Sequence, residues 1–197
     1  TISADIGSWG GIFSPMDAFK NKARFIGFEP QKKFCDELNN AEKKFGRSEI
    51  HYPIALGNQK TKKTFHITKN SVASSFLEVN DPVVKPLSNY IDSSPITHED
   101  IEIVDLDSFC IEHDLFHLDF IKLDTEGYEL EVLKGGHNII KKTTLGMYIE
   151  VFFQEWHKGR PLYKDIDKYV TEELGFQFQG FQGTCYQETG LMYSNAY

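Results

Sequence analysis

The sequence Thr1-Ile2-Ser3-Ala4-Asp5-Ile6-Gly7-Ser8-Trp9-Gly10-Gly11 decides the fold class of this chain. A short β-prone run ends in an acid and a group of glycines, which is typical of a strand, a tight turn and a helix start. Glycine has no Cβ and tolerates positive φ, so the backbone of such a turn can approach a bound ligand closely. The stretch therefore predicts a ligand-binding turn after the first strand of an α/β sheet.

The spacing Asp5-x-Gly7-x-x-Gly10 is similar to a nucleotide-cofactor loop, but Asp5 stands where the dinucleotide fingerprint has its first glycine. A pyrophosphate is bound by backbone N–H groups, whereas a cofactor with a cationic amino group is attracted by a carboxylate. S-adenosylmethionine is such a cofactor. The alternative is an ordinary strand-to-helix turn in which Asp5 is solvated.

The second predicted strand, residues 24–28, ends in the pair Glu29-Pro30. An acid at this place in Rossmann-like folds accepts hydrogen bonds from ribose hydroxyls, so Glu29 is the predicted ribose ligand. The alternative is a surface Glu29 that stabilises the start of the next helix, which is predicted over residues 31–44. A short helix before this strand is predicted over residues 15–20, with Ser14 as its N-cap.

Residues 50–57 are predicted to form the third strand and to run into a turn, which completes a β-α-β-α-β half. Ala55 and Leu56 would then lie near the adenine of a bound nucleoside.

Asp124 and Glu126 follow a buried-type strand that is predicted over residues 120–123. Ligands in open α/β sheets bind outside the carboxyl ends of the strands, so these acids are expected to face the same crevice as the two acids named above. Lys122 projects from the same face of its strand as Asp124 and is expected to pair with it. The alternatives are a structural ion pair for Lys122 and helix N-terminal stabilisation for Glu126.

Residues 58–100 are more polar and less periodic than the rest of the chain. A long excursion at this point is expected to be a lid or a substrate loop, or else a surface decoration. Within it, residues 63–67 alternate like a strand, and residues 71–76 either pair with that strand or form a loop over the cofactor.

The remaining predicted elements continue the alternation of strands and helices. They are a strand at residues 101–105, a helix at 106–113, a strand at 147–153, a helix at 162–174 and two closing strands at 176–181 and 190–194. His113 and His117 have the spacing of helical metal ligands, but the helix is predicted to end there and no H-E-x-x-H motif is present. No metal site is predicted.

Composition limits the possible classes of protein. A chain of 197 residues that is 40% hydrophobic is expected to form one domain, residues 1–197. Its net charge of −8 disfavours general nucleic-acid binding.

The three cysteines are far apart, which favours a reducing compartment and a cytoplasmic location. No apolar run is long enough to span a bilayer, and the start at Thr1 leads us to expect a further segment upstream. The oligomeric state is not predicted.

Several motifs are distributed over nearly the whole chain. They are Asp5-Ile6-Gly7-x-x-Gly10, Phe28-Glu29-Pro30, Leu106-Asp107-Ser108-Phe109, the run from Asp119 to Glu129, Val132-Leu133-Lys134-Gly135 and Ile149-Glu150. Together they resemble the FkbM family of S-adenosylmethionine-dependent methyltransferases. The most specific motif is K-x-D-x-E-G-x-E, from Lys122 to Glu129.

The resemblance implies an α/β fold of the Rossmann-like class I methyltransferase type. Such a fold has a seven-stranded, mostly parallel sheet with an antiparallel C-terminal hairpin strand and helices on both faces. The resemblance also implies methylation of a hydroxyl on a sugar, glycan or natural product.

The cofactor-binding residues that the resemblance implies belong to the strand ends described above. Asp5, Gly7 and Gly10 would contact the amino-acid part of S-adenosylmethionine, Glu29 with Pro30 its ribose, Ala55 or Leu56 its adenine, and Asp124 the region of its methyl group. Ser8 and Trp9 occupy loop positions where the family commonly has a small residue followed by Asn. Trp9 is expected either to pack on the cofactor or to cover the N-terminal edge.

Methyl transfer to a hydroxyl requires that the oxygen is oriented and that its proton is accepted. The candidate bases are Asp124 first and His157 second, while Lys122, Glu126 and Glu150 would orient the substrate or one another. A solvated loop histidine is the alternative for His157. Two other functions stay open: a noncatalytic binding module with this fold and, more weakly, an NAD-dependent oxidoreductase.

Overall fold

Two β-sheets organise the part of the chain that the computed structural model describes, which comprises residues 1–11, 22–45, 48–85, 93–187 and 190–197. The helix predicted over residues 15–20 lies outside these residues. In chain order, the strands are β1 (Ile2–Ile6), β2 (Arg24–Phe28), β3 (Glu49–Tyr52), β4 (Ala55–Gly57), β5 (Thr61–Thr68), β6 (Pro95–Asp105), β7 (Phe120–Leu123), β8 (Gly146–Phe152), β9 (Phe181–Gln187) and β10 (Gly190–Ala196).

The larger sheet has seven strands in the order β3-β2-β1-β7-β8-β10-β9. Its first five strands are parallel neighbours, and β10 runs antiparallel to both β8 and β9. The predicted mostly parallel sheet with an antiparallel C-terminal strand is confirmed. Because β1, β2 and β7 are adjacent and parallel, their carboxyl ends lie at one edge of the sheet, where ligands of open α/β sheets bind.

Helices pack against the strands of this sheet. The helices are α1 (Lys32–Phe45), α2 (Asp81–Val84), α3 (Leu106–Glu112), α4 (Glu129–Gly135), α5 (His137–Thr143) and α6 (Tyr163–Lys168). Apolar side chains of α3 to α6 pack against inward-facing residues of β1, β2, β7 and β8 in one core cluster. Alternate residues of these strands, such as Ala4 and Ile6 in β1, face this cluster, as period-two strand geometry requires. None of the described helices has the length and apolar character needed to cross a membrane.

The prediction of one strand over residues 50–57 is wrong. The chain forms β3, turns at Pro53 and Ile54, and then forms β4, which belongs to the smaller sheet. Proline has no N–H to donate to a ladder and restricts the residue before it, so it ends β3 and releases the chain from the larger sheet.

The smaller sheet has the order β4-β6-β5 and accounts for much of the predicted excursion over residues 58–100. β5 contains the predicted strand at residues 63–67, but β6 begins at Pro95, well before the predicted start at residue 101. The reason is that β6 pairs antiparallel with β5 along its whole length. Residues 71–76 contain a short 3₁₀ helix, and Ser75 forms a single bridge to His66 of β5.

The C-terminal prediction needs one correction. β9 begins at Phe181, whereas a strand was predicted over residues 176–181. β10, the partner strand, ends at Ala196. Before β9, the N–H groups of Gln179 and Gly180 donate hydrogen bonds to the carbonyl oxygen of Tyr197, the last residue of the chain. Residues 176–178 lie beyond the partner strand and have no ladder to join.

Candidate active site

The turn after β1 is held against the end of β7. Gly7 has φ of 78°, a conformation that favours glycine. A Cβ at this position would lie 1.7 Å from the carbonyl oxygen of Asp124, so no other residue fits there. The N–H groups of Gly7 and Ser8 donate to the carbonyl oxygen of Phe28, at 3.0 and 3.1 Å, and so tie the turn to the end of β2.

Lys122 lies beneath this turn and is almost completely buried. Its Nζ donates to the carbonyl oxygen of Gly7 at 2.6 Å and lies 3.3 Å from Asp5 and 3.4 Å from Asp124. Burial alone would lower the pKa of Lys122, but the neighbouring Asp124 and Asp5 carboxylates raise it overall. The predicted pairing of Lys122 with Asp124 is confirmed, and the amine binds groups of the protein itself.

Asp5 and Glu29 are the acids at the ends of β1 and β2. Asp5 is 1% exposed, and within the described part of the chain neither of its carboxylate oxygens has a partner in hydrogen-bond geometry, although the Nζ of Lys122 lies 3.3 Å from one of them. Glu29 is 3% exposed and accepts a hydrogen bond from the N–H of Gln31 at 2.8 Å. Burial raises the pKa of Asp5 to about 6 and that of Glu29 to about 7. Both carboxylates therefore have unused capacity to accept hydrogen bonds from a ligand.

A pocket of about 70 Å³ lies between Glu29, at the end of β2, and residues of the smaller sheet. Its lining includes Gly7, Glu29, Pro30, Ala55, Leu56, Asp124 and Glu126, with Phe65, Ser71, Ser74, Phe76 and Tyr128 on other sides. The structure thus brings together most of the predicted cofactor-binding residues.

Asp5, Ser8, Trp9 and Gly10 do not line this pocket within the described part of the chain; Asp5 lies behind its lining residue Gly7. Ser8 is fully buried, while Trp9 packs edge to face on Phe34 of α1 with ring centroids 6.3 Å apart. Trp9 consequently contacts the neighbouring helix.

A larger cavity of about 550 Å³ lies elsewhere, around the amino-terminal half of β8 and the segment after α6. Its lining is mostly apolar and includes Leu145, Tyr163 and Val170. None of the acids at the carboxyl ends of β1, β2 and β7 lines it, so we place the candidate site at the smaller pocket.

Three carboxylates meet beside the pocket. One oxygen each of Asp124, Glu126 and Glu150 lies within 4.8 Å of the others. Burial raises the pKa of Glu126 to about 8, and burial together with the neighbouring carboxylates raises that of Glu150 well above its usual range. An oxygen of Glu150 is buried without a hydrogen-bond partner. Such a cluster holds a proton at neutral pH and can exchange it with a ligand hydroxyl.

The same three carboxylates have the oxygen donors that a hard divalent cation prefers. The guanidinium of Arg160, however, lies 4.0 Å from Glu126 and already supplies positive charge there. His113 and His117, considered above as metal ligands, have other contacts. The ring of His113 stacks on Phe109 with centroids 4.1 Å apart, and His117 lies 3.6 Å from a carboxylate oxygen of Asp119.

His157 does not reach the pocket. It is 0% exposed, and its Nδ1 lies 3.3 Å from a guanidinium nitrogen of Arg160. Burial, with a contribution from Arg160, lowers the pKa of His157 to about 3. An imidazole that is neutral and enclosed in this way cannot exchange protons with a substrate, so its predicted role as a base has no geometric support.

Sequence reasoning missed Arg160 and His51. Arg160 lies on the ring of Phe152, 3.2 Å from its centroid, and Nε and one terminal nitrogen of its guanidinium lack hydrogen-bond partners. No motif marks it in the sequence. His51 is 3% exposed and contacts the turn after β1. The one signal for it is Gly27 in the middle of β2, because a glycine inside a strand often marks a close approach.

Glu129 is explained by local structure. Its Oε1 accepts hydrogen bonds from the N–H groups of Thr125 and Gly127, at 2.9 and 3.0 Å, and so supports the turn before α4. Glu126 in the same turn has φ of 56°.

Comparison with known proteins identifies the family. A model described as the Methyltransferase FkbM domain matches residues 3–178. Over 167 residues the chain is 24% identical to the 2-O-methyltransferase NoeI of Sinorhizobium fredii (strain NBRC 101917 / NGR234), and the match covers 82% of this chain and 68% of NoeI.

The fold is similar to that in the crystal structure of Methyltransferase FkbM from Methylobacillus flagellatus KT, with a TM-score of 0.54 and 16% sequence identity. That match covers 99% of this chain, which spans 43% of the solved protein. It shows that the two proteins share a fold. Because the family model covers nearly the whole sequence and the observed sheet agrees with it, the chain belongs to the FkbM methyltransferase family.

Proposed function

We propose that this chain is an S-adenosylmethionine-dependent O-methyltransferase that acts on a hydroxyl of a sugar, glycan or natural product. The observation that carries the cofactor proposal is the carboxylate of Asp5. It is buried at the end of β1, two residues before the pocket-lining Gly7, and among the described residues its oxygens have only the Nζ of Lys122 nearby, 3.3 Å from one of them and outside hydrogen-bond geometry. A cationic amino group would satisfy those oxygens. Support for the reaction comes from family membership and from NoeI, which is a 2-O-methyltransferase.

The other residues of the pocket fit the remaining parts of the cofactor. Glu29 has a free carboxylate oxygen for ribose hydroxyls, while Ala55 and Leu56 offer an apolar wall to the adenine. Gly7 and Gly10 would leave the backbone of the turn accessible, and Ser8 and Trp9 would act by holding that turn.

The pocket must widen before it can hold the cofactor. Its volume is about 70 Å³, whereas small-molecule sites usually measure about 300–1,000 Å³. The wall contributed by Ser71, Ser74 and Phe76 does not belong to a sheet ladder apart from the bridge at Ser75. We expect this wall to move outward, which gives residues 71–76 the cover role that the sequence suggested.

In this proposal S-adenosylmethionine supplies an electrophilic methyl group at the carboxyl ends of β1 and β7. Asp124 and Glu126 would orient the acceptor hydroxyl, and the cluster that they form with Glu150 would accept the proton of that hydroxyl. Lys122 keeps Asp124 in place, because its Nζ lies between that acid and the cofactor turn. Arg160 supports the ionised form of Glu126 from the buried side.

A calorimetric titration tests the cofactor proposal. The protein is titrated with S-adenosylmethionine and S-adenosylhomocysteine, with NAD as the control ligand, and Glu29→Ala is measured beside the wild type. We expect both adenosyl ligands to bind, more weakly in the variant, and NAD not to bind. A well-folded protein that binds neither adenosyl ligand would contradict the proposal.

A noncatalytic binding module is the second candidate, because Ser8 and Trp9 depart from the residues that the family commonly has at these loop positions. Asp124→Asn separates the two functions. In an enzyme the variant keeps its fold but loses turnover of hydroxylated sugar acceptors. A binding module has no turnover in either form.

Cys35 and Cys110 are buried free thiols. Free thiols fit a reducing compartment, so we place the proposed activity in the cytoplasm.

A further inference from the structure

A chain of buried hydrogen bonds joins the cofactor turn to the outermost strand of the larger sheet. The hydroxyl of Ser8 lies 2.8 Å from Nδ1 of His51, and Nε2 of the same ring lies 2.6 Å from a carboxylate oxygen of Glu49. Ser8 is 0% exposed, and the side chains of His51 and Glu49 are 1% and 5% exposed. These three groups have no part in the proposed reaction, so their burial together needs an explanation.

The imidazole reaches Ser8 by crossing β2. His51 is in β3 and Ser8 follows β1, while β2 runs between these two strands. At the crossing point β2 has Gly27, and a Cβ there would lie 2.0 Å from Nδ1 of the ring. The ring can span the intermediate strand only because that residue has no side chain.

Hydrogen bonds fix both the backbone and the ring of His51. The side-chain amide of Asn39 in α1 exchanges two hydrogen bonds of 2.9 Å with the backbone N–H and carbonyl of His51. A carboxylate accepts hydrogen bonds, so with Glu49 at Nε2 that nitrogen carries the proton and Nδ1 accepts from the Ser8 hydroxyl. The arrangement fixes the direction in which the hydroxyl of Ser8 points.

A serine, a histidine and an acid in a row also form the arrangement of hydrolytic triads. That function does not fit here, because a nucleophile has to meet its substrate and Ser8 has no exposed surface. The acid and the ring are buried as well, so the chain of hydrogen bonds acts on the turn itself.

We propose that Ser8, His51 and Glu49 form a positioning relay that sets the conformation of the cofactor turn. The relay rests on the proposed function, since it acts through the turn that would bind the cofactor. Lys122 holds the carbonyl of Gly7 from the β7 side, and the relay holds the next residue, Ser8, from the β3 side. The turn between Asp5 and Gly10 is thereby held from two directions.

The test measures binding of S-adenosylhomocysteine by calorimetry in Ser8→Ala, Glu49→Gln and Gly27→Ala. Each variant changes the relay without altering a residue that lines the pocket. We expect Ser8→Ala to weaken binding about fivefold, since a hydrogen bond of this kind contributes about 1 kcal/mol. Gly27→Ala is expected to weaken it more, because it displaces the ring. Ser194→Ala is the matched control: it also removes a hydrogen-bonded hydroxyl from a residue that is 0% exposed, but in β10.

A spectroscopic measurement separates the relay from a general loss of stability. In ¹⁵N-labelled protein the ring of His51 is expected to carry a proton on Nε2, opposite Glu49, and Glu49→Gln is expected to change its nitrogen shifts. Urea denaturation confirms that each variant is folded.

The outcomes distinguish this proposal from the proposed function. If the wild type binds S-adenosylhomocysteine and Ser8→Ala binds it equally well, the relay is overturned while the cofactor site stands. A Ser194→Ala variant that weakens binding as much as Ser8→Ala also overturns the relay. If the wild type itself does not bind, the cofactor proposal has failed, and the relay as a cofactor-positioning device fails with it.

Discussion

Gly7 and Gly10 provide a matched pair of residues in one turn. Their φ values are 78° and 82°, so a side chain would strain the backbone equally at either position. Their surroundings differ, because a Cβ at Gly7 would lie 1.7 Å from a backbone oxygen, while none of the described residues has an atom within 4 Å of a Cβ at Gly10. The effect of close approach can therefore be measured separately from that of φ.

We expect Gly10→Ala to lower the free energy of unfolding by about 1–2 kcal/mol, the cost of a left-handed conformation for an L-residue. Gly7→Ala should cost several times as much, since the end of β7 has to move away from the turn. Urea denaturation of the two variants measures the difference. Equal losses would mean that the backbone at Asp124 yields easily, contrary to our account of the turn.

Buried acids make the stability of this protein depend on pH. Burial raises the pKa of Asp5 to about 6, of Glu29 to about 7 and of Glu126 to about 8. Each of these acids binds more protons in the folded state than in the unfolded state at a pH between its two pKa values. Stability therefore falls as pH rises through that interval.

For Glu126 the interval extends from 4.5 to about 8. We expect the free energy of unfolding to decrease over this range, and Glu126→Gln to flatten the decrease at its upper end, because an amide does not titrate. Urea denaturation at a series of pH values, with Glu131→Gln as a more exposed control, measures both effects. A wild-type stability that rises with pH across the interval would contradict the assigned shifts.

At the scale of elements, α5 is capped by a side chain from another helix. The carboxylate of Asp107, in the first turn of α3, accepts hydrogen bonds from the N–H groups of Asn138 and Ile139, at 3.0 and 2.8 Å, and from the side-chain amide of Asn138 at 2.8 Å. α5 has no side-chain cap from its own preceding residue, Gly136. The start of α5 therefore depends on α3.

Asp107→Ala should lower the free energy of unfolding by about 1–2 kcal/mol, the upper part of the range for loss of an N-cap. Glu112→Ala, at the exposed end of the same helix, serves as the control and should change stability little. Chemical denaturation compares the two. If the losses are equal, the hydrogen bonds from α5 to Asp107 contribute nothing beyond the general effect of a surface substitution.

The elements that could be predicted from the sequence are those whose own residues determine them. β1, β2 and β7 are short buried runs that end in acids or glycines, and α1 has a clear helical period. The elements that were mispredicted depend on partners far away in the chain. β6 is long because β5 pairs with it, and β9 begins late because β10 ends at Ala196. A local pattern contains no information about where a partner strand stops.

At the scale of the whole molecule, ligand binding should stabilise the fold as well as widen the pocket. S-adenosylhomocysteine at about 100 times its dissociation constant should raise the free energy of unfolding by about 2.7 kcal/mol. The unliganded protein should exchange the amide hydrogens of residues 71–76 faster than those of β1, because these residues form the wall that has to move. Thermal denaturation and hydrogen-exchange mass spectrometry measure the two effects. A wall segment that exchanges as slowly as β1, with or without ligand, would show that the pocket opens elsewhere.

As with the fold, only part of the candidate site could be predicted from the sequence. Asp5, Glu29 and Asp124 could be predicted to meet, because parallel neighbouring strands present their carboxyl ends at one edge. The burial of His157 could not be predicted, since its surroundings come from segments distant in sequence. Arg160 and His51 act across elements that only the folded chain brings side by side.

Because the ring of His51 crosses β2 at Gly27, the residues that are tolerated at positions 27 and 51 depend on each other. A side chain at position 27 would clash with the imidazole while His51 is present. If His51 is replaced by a smaller residue, glycine is no longer required at position 27. Each change is therefore tolerated best when the other has already occurred. We expect relatives with a larger residue at position 27 to lack histidine at position 51, and such lineages to have found another support for their cofactor turn.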